Sequence, residues 1–359
     1  MRYDPREGAR NLLLNCAGIR PGQRIVIAAE DPAEDFYDAL ASRCILEIAR
    51  ELGCQASLLP CPVISGPESL PLSIIKAMEE TDHVIFQARA GDQVRFTKLA
   101  GTATKTMSYA LDIGLLGSEY CTVHHGLMKE VLNTFESELN EAKTWRITCP
   151  LGTDVSATQS PKDATAGNGE DFTLLLFPIP IFRPVSCETM QGRVAVAHWL
   201  MSTANRVYQN SFLKLDEPVM AVVEAGRIVD FEGPKDLVGK VRSHYQRVGD
   251  LFDIETDVVH SWHAGIHPKA FYPLNATSDI DRWGSVAFAN PRYLHFHTCG
   301  NYAPGEIAWS IFDATVELDG KTYWNRGRFT FLDRPDLRKR LDHYDLDDWA
   351  FEQRFDIGI

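Results

Sequence analysis

The sequence predicts an N-terminal parallel α/β domain followed by a mixed, mainly β, barrel-like domain. Three observations carry that expectation. Up to about residue 145, short apolar runs alternate with stretches of helical periodicity. Beyond it the apolar pattern becomes strands joined by tight turns, interrupted by a long helix. The 359 residues, 45% apolar and 24% charged, suffice for two domains with separate cores. The expected division is 1–146 and 147–359.

Arg24-Ile25-Val26-Ile27-Ala28-Ala29 is the kind of run that fills a buried strand, and Asp31 and Asp35 are candidate helix caps just after it. Tyr37, Leu40, Ala41, Cys44, Ile45, Ile48, Ala49 and Leu52 then recur at the spacing of one helical face, with Gly53 as the stop. Ala56–Pro60 resumes as a strand and completes a βαβ unit. Leu70–Glu80 reads as a helix and His83–Gln87 as a strand. The pattern changes near Ile147–Gly152, and Ser160–Asp171 is polar enough to read as a loop. Later strands are Phe172–Phe177, Val219–Val223 and Gly226–Phe231, the last two meeting in a hairpin at Glu224-Ala225-Gly226. A helix runs from Pro234 to about Leu251. Tyr293–His297 and Ala314–Leu318 follow as strands, the second entering a turn at Asp319-Gly320.

Thirty-six basic against 49 acidic residues give a formal net charge of −13. That excludes the electrostatic footprint of nucleic-acid binding and attraction to anionic membranes. No run of 18 uncharged apolar residues exists to span a bilayer, and the first residues carry acids without a signal-like apolar stretch. The expected location is the cytoplasm. The eight cysteines form no C-x-x-C and no paired zinc spacing, so they are expected as reduced thiols.

Histidine is the informative residue. Five of the eleven, His260, His263, His267, His295 and His297, fall within 38 residues, with Glu306 and Asp313 close behind. Neutral imidazoles with a carboxylate suit zinc, manganese or ferrous iron, and two histidines with one carboxylate form the open triad of oxygen-using iron enzymes. On a strand His295 and His297 share a face, so both can reach one ion. A turn or short helix lets His260 and His263 do the same. The plain alternative is a hydrogen-bonded or solvated pair, since the spacing fits no fixed motif. Trp262, Phe271, Tyr272 and Tyr302 surround these histidines and could line an aromatic pocket, although core packing is the commoner fate of such side chains. His124-His125 reads as a surface pair, and Ala100–Thr106 as an exposed loop or helix start that lacks the second glycine of a phosphate loop before its lysine.

From residue 147 to 233 the series Cys149-Pro150-Leu151-Gly152-Thr153, Gly169-Glu170-Asp171-Phe172, Pro178-Ile179-Pro180-Ile181-Phe182, Cys187–Val194 and Pro218–Val229 resembles the second domain of aminopeptidase T-like metallopeptidases. It is similar also to their relative, 2,5-dihydroxypyridine 5,6-dioxygenase, and Ala49–Ala56 resembles the first domain of the same group. The resemblance implies a metal site in the second domain and a homo-oligomer. His263-Ala264-Gly265 before Pro268-Lys269-Ala270 matches the dioxygenase's first histidine, with His260 as the alternative. The dioxygenase's His-x-Asp element is absent: Gly300-Asn301 is present, but Trp309–Asp313 holds no histidine. Either His295 or His297 supplies that ligand with Glu306 or Asp313 as carboxylate, or the site is not that of a dioxygenase. Glu188 fits one position of the peptidases' two-metal set.

The leading expectation is a non-heme Fe(II) dioxygenase opening a small hydroxylated aromatic or heteroaromatic ring with O2. Its metal ligands are drawn from His263, His295, His297 and Glu306. His260 moves protons, and Trp262, Tyr302 and Glu188 contact substrate. The alternatives are a zinc- or manganese-dependent aminopeptidase or amidohydrolase, and a metal-free, non-catalytic relative.

Overall fold

Arg24–Glu30, nearly all buried, lies inside a five-stranded parallel sheet in the computed structural model. The structure describes residues 3–99, 101–159, 173–179, 181–202, 208–301, 305–344 and 348–359. The sheet runs in the order Gln55–Cys61, Arg24–Glu30, His83–Gln87, Thr104–Ser108 and Leu175–Phe177. Every neighbouring pair is parallel. The chain leaves Arg24–Glu30 to one side for the second strand and crosses to its other side for the third, which opens a crevice at the carboxyl ends of the strands.

The helix after the first strand is Ala39–Glu51, and its cap is Asp38, which accepts from Ala41 N at 2.7 Å. Asp31 instead caps the short 3-10 turn Pro32–Glu34, and Asp35 closes that turn in the left-handed region. Tyr37 shares the helical spacing yet precedes the helix. Its buried hydroxyl donates to Ser108 O at 2.8 Å, a tertiary bond that periodicity does not register.

Two antiparallel sheets complete the molecule. The first has six strands, ordered Leu213–Lys214, Trp199–Met201, Glu306–Phe312, Tyr293–Cys299, Val259–Ala264 and Val185–Ser186. The second has eight and takes in Thr144–Thr148, so the expected division at 146 falls inside a strand. Leu175–Phe177 returns from beyond that point to join the parallel sheet. The expected hairpin is present as Val219–Glu224 and Arg227–Glu232, and the interrupting helix as Lys235–Phe252.

The six-stranded sheet separates two cores, and alternation assigns its side chains to them. Trp199, Met201, Tyr293, Ala308 and Phe312 face the core of the parallel α/β half. Leu200, Trp262, Leu294, Phe296, Ile307 and Trp309 face the second core, shared with the eight-stranded sheet and the helix His125–Glu141. Among the described residues no helix is long and apolar enough to cross a membrane. All eight cysteines are free thiols, six of them buried.

Candidate functional site

Strand register builds the site. His263 lies opposite His295, and Ser261 opposite His297. On the other side of the 293–299 strand, Cys299 lies opposite Glu306 and His297 opposite Ala308. Residues two apart share a face, so His263, His295, His297 and Glu306 all project toward the parallel α/β half. The ring centres of His295 and His297 are 4.8 Å apart, those of His263 and His297 5.2 Å, and those of His263 and His295 5.5 Å in a near-parallel stack. A Glu306 carboxylate oxygen lies 2.6 Å from His297 Nδ1, and Glu306 is 0% exposed.

Burial, with the Arg95 guanidinium nearby, holds the basicity of His263 and His295 well below the usual imidazole range. Both are therefore neutral at pH 7 and keep a lone pair for a ligand or a proton. His295 Nδ1 and His297 Nε2 are buried without a hydrogen-bond partner. The three histidines line a cavity of about 90 Å³. Its far wall comes from the parallel half: Asp92 in the short helix Ala90–Val94 that follows His83–Gln87, Arg95 at that helix's end, and Tyr109 just beyond Thr104–Ser108. These are carboxyl ends of parallel strands, the usual ligand position of such sheets. Ile179, Ile181, Phe288 and Tyr293 supply apolar and aromatic walls.

The remaining sequence candidates fall elsewhere. His260 and His263 lie on a strand, Val259–Ala264, in place of the expected turn or short helix. His260 sits at its bulge, half-buried, and donates from Nε2 to Cys299 O at 2.8 Å; it does not line the cavity. Trp262, one residue from His263, points to the opposite face and packs against Trp145 and Phe182 at 5.9 and 5.8 Å. Glu188 is exposed on the turn after Val185–Ser186. Asp313, the alternative carboxylate, is committed to Arg292 at 2.6 Å. His267 is buried edge-on to Tyr120, outside the cavity. His125 is buried near Phe177 rather than exposed, because only His124 sits at the helix start, accepting from Gly126 N at 3.1 Å. Tyr302 and the loop 160–171 lie outside the described residues.

Arg95, Asp92 and Tyr109 escape a reading of motifs because they belong to none. The available signal is positional: polar residues just after a buried parallel strand. Among the described residues, no three His, Cys, Asp or Glu side chains are placed to hold a metal ion as they stand. An imidazole binds an ion in its own ring plane, and the stacked His263 and His295 rings do not aim at one point.

This fold, two antiparallel sheets beside a parallel α/β half, is shared with solved structures. The chain is similar to 2,5-dihydroxypyridine dioxygenase from Pseudomonas putida KT2440, with TM-score 0.57, 12% identity, and 90% of this chain and 96% of that one covered. It is similar also to AmpT from Thermus thermophilus, with TM-score 0.52, 13% identity, and 90% and 98% covered. No protein-family model matches the chain, and no curated protein matches it in sequence. At these identities the likeness establishes the architecture.

Proposed function

We propose that this chain is a metal-dependent enzyme acting on a small, one-ring aromatic or heteroaromatic substrate, with oxidative ring opening by ferrous iron and O2 as the reaction. One observation carries the reading: three imidazoles line a small, largely apolar cavity, and a fully buried carboxylate, Glu306, stands against one of them, His297. The donor set has the right chemistry for a divalent transition metal. Two imidazoles bound to one ion through bonds of about 2.1 Å have ring centres roughly 4.6–5.3 Å apart. His295–His297 and His263–His297, at 4.8 and 5.2 Å, meet that spacing, so ring rotation without backbone movement is what an ion requires.

His263, one or both of His295 and His297, and Glu306 would hold the ion, which would supply Lewis acidity and electrons for oxygen chemistry. The histidine not engaged in holding it is placed to accept a substrate hydroxyl proton. That role falls inside the cavity and not to His260, whose ring is tied to Cys299 O. Phe288 and Tyr293 flank the ring in place of Trp262, and Ile179 and Ile181 exclude water from it. The cavity has room for a small ring: about 90 Å³ is several times the ~10–15 Å³ that one water takes on the same measure.

The test is metal content by plasma mass spectrometry on protein purified without chelator or tag, paired with oxygen uptake on dihydroxypyridines and dihydroxybenzenes. About one iron per chain, lost in a His263→Ala, His297→Ala double variant, with oxygen consumed, is the expected result. Zinc or manganese with amide hydrolysis would replace the reading with the hydrolase. Absence of metal from both proteins would reject the ligand set.

A further inference from the structure

Arg95 is 9% exposed and lines the cavity. One nitrogen, Nη1, is paired with Asp92, donating to its carboxylate and to its backbone oxygen, the latter at 3.2 Å. The same carboxylate oxygen accepts from Tyr109 OH at 2.9 Å. Nε and Nη2 have no hydrogen-bond partner among the described residues. The Phe96 ring covers one face of the guanidinium, its centre 4.9 Å from Cζ. A guanidinium stacked on its face and held at one nitrogen presents its remaining edge, two parallel donors in the geometry that a planar anion accepts. Arg95 lines the cavity, so a ligand there has this guanidinium within its wall.

We propose that Arg95 is the anchor for an anionic substituent of the substrate, a carboxylate or a planar oxyanion on the ring, with Asp92 and Tyr109 as positioning residues that hold the guanidinium in place. The inference rests on the reading of this cavity as the substrate site. It narrows the substrate class from hydroxylated rings in general to rings carrying a negative charge on the side away from the histidines. The other groups around the cavity agree with this arrangement. The buried Glu306 carboxylate lies beside His297 on the opposite wall, away from Arg95, so the two ends of the cavity differ in charge.

The probe is a matched pair of equal shape, benzoate and its neutral analogue benzamide, titrated calorimetrically into the full chain after chelator treatment and again after metal loading. Benzoate is expected to bind at least ten times more tightly than benzamide in both forms. Arg95→Gln is expected to abolish that preference and Arg95→Lys to retain part of it. Because Arg95→Gln removes the cation beside the buried Asp92 carboxylate, an Arg95→Gln, Asp92→Asn double variant repeats the test with the local charge balanced, and circular dichroism confirms that it folds. A role confined to holding Asp92 would leave the benzoate-to-benzamide ratio unchanged in these variants, which would overturn the inference. Equal binding of the two probes by the unaltered protein, or binding of neither, would overturn it too. Metal content and oxygen uptake are read separately, so an Arg95-dependent preference without iron supports this inference while rejecting the dioxygenase.

Discussion

His125, His244 and His267 are buried histidines outside the site, and burial depresses their basicity to about 4, about 4 and about 3 from an ordinary 6.5. Below pH 6.5 the unfolded chain takes up a proton at each position while the native fold does not. Stability from these groups is therefore fully present above pH 6.5 and falls as pH drops toward 4. Each contributes about 1.4 kcal/mol per pH unit across that window. Urea unfolding at pH 7, 6 and 5 is expected to show the decline, and His244→Gln to reduce its slope by one group's worth. An unchanged slope would mean that His244 titrates alike in both states. His125 also illustrates how far a residue can be read in isolation. Two adjacent histidines look like a surface pair, yet the helix start keeps His124 outside and turns His125 inward, near Phe177.

At the scale of elements, alternation along Val259–Ala264 separates two neighbours with opposite fates. Trp262→Ala removes a side chain from the second core and is expected to cost about 3–5 kcal/mol in urea unfolding, with benzoate binding retained. Loss of binding at unchanged stability would put Trp262 in the cavity instead. The two hairpin turns, Ala225-Gly226 and Asp319-Gly320, have positive φ at both residues. Gly226→Ala and Gly320→Ala therefore share a backbone penalty of about 1–2 kcal/mol. A Cβ on Gly226 would also meet Cys187 O at 2.6 Å, whereas one on Gly320 meets open space. Gly226→Ala is thus expected to be the more destabilising of the two, and equal melting temperatures would refute the steric part. Element types were legible because each rests on local periodicity: His83–Gln87 and the Val219–Glu224 hairpin are where the apolar spacing puts them. The strand character of Val259–Ala264 was not, since V-H-S-W-H-A offers no clean alternation of apolar and polar residues.

The whole molecule places its cavity where the six-stranded sheet meets the carboxyl ends of the parallel strands, so a ligand there contacts both cores. An ion or substrate that binds only this assembled state stabilises it by mass action, about 2.7 kcal/mol at one hundred times its dissociation constant. Unfolding midpoints are expected to rise with added ferrous iron or zinc and to fall again on chelation. The His263→Ala, His297→Ala variant is expected to lose that response. A metal-induced rise that persists in the variant would place the ion elsewhere.

What the sequence determines by itself is local: the alternating apolar runs of the first half, the turn chemistry of the second, and a cluster of histidines in two short segments. Four of its site candidates, His263, His295, His297 and Glu306, lie together on one face. Tertiary structure alone decided that His260, Trp262 and Glu188 stand apart from them and that Arg95, Asp92 and Tyr109 stand opposite. The physical reason is that strand register and the packing of one core on another join residues about two hundred positions apart. A period of 2 or 3.6 specifies which side of an element is buried, but not what it is buried against.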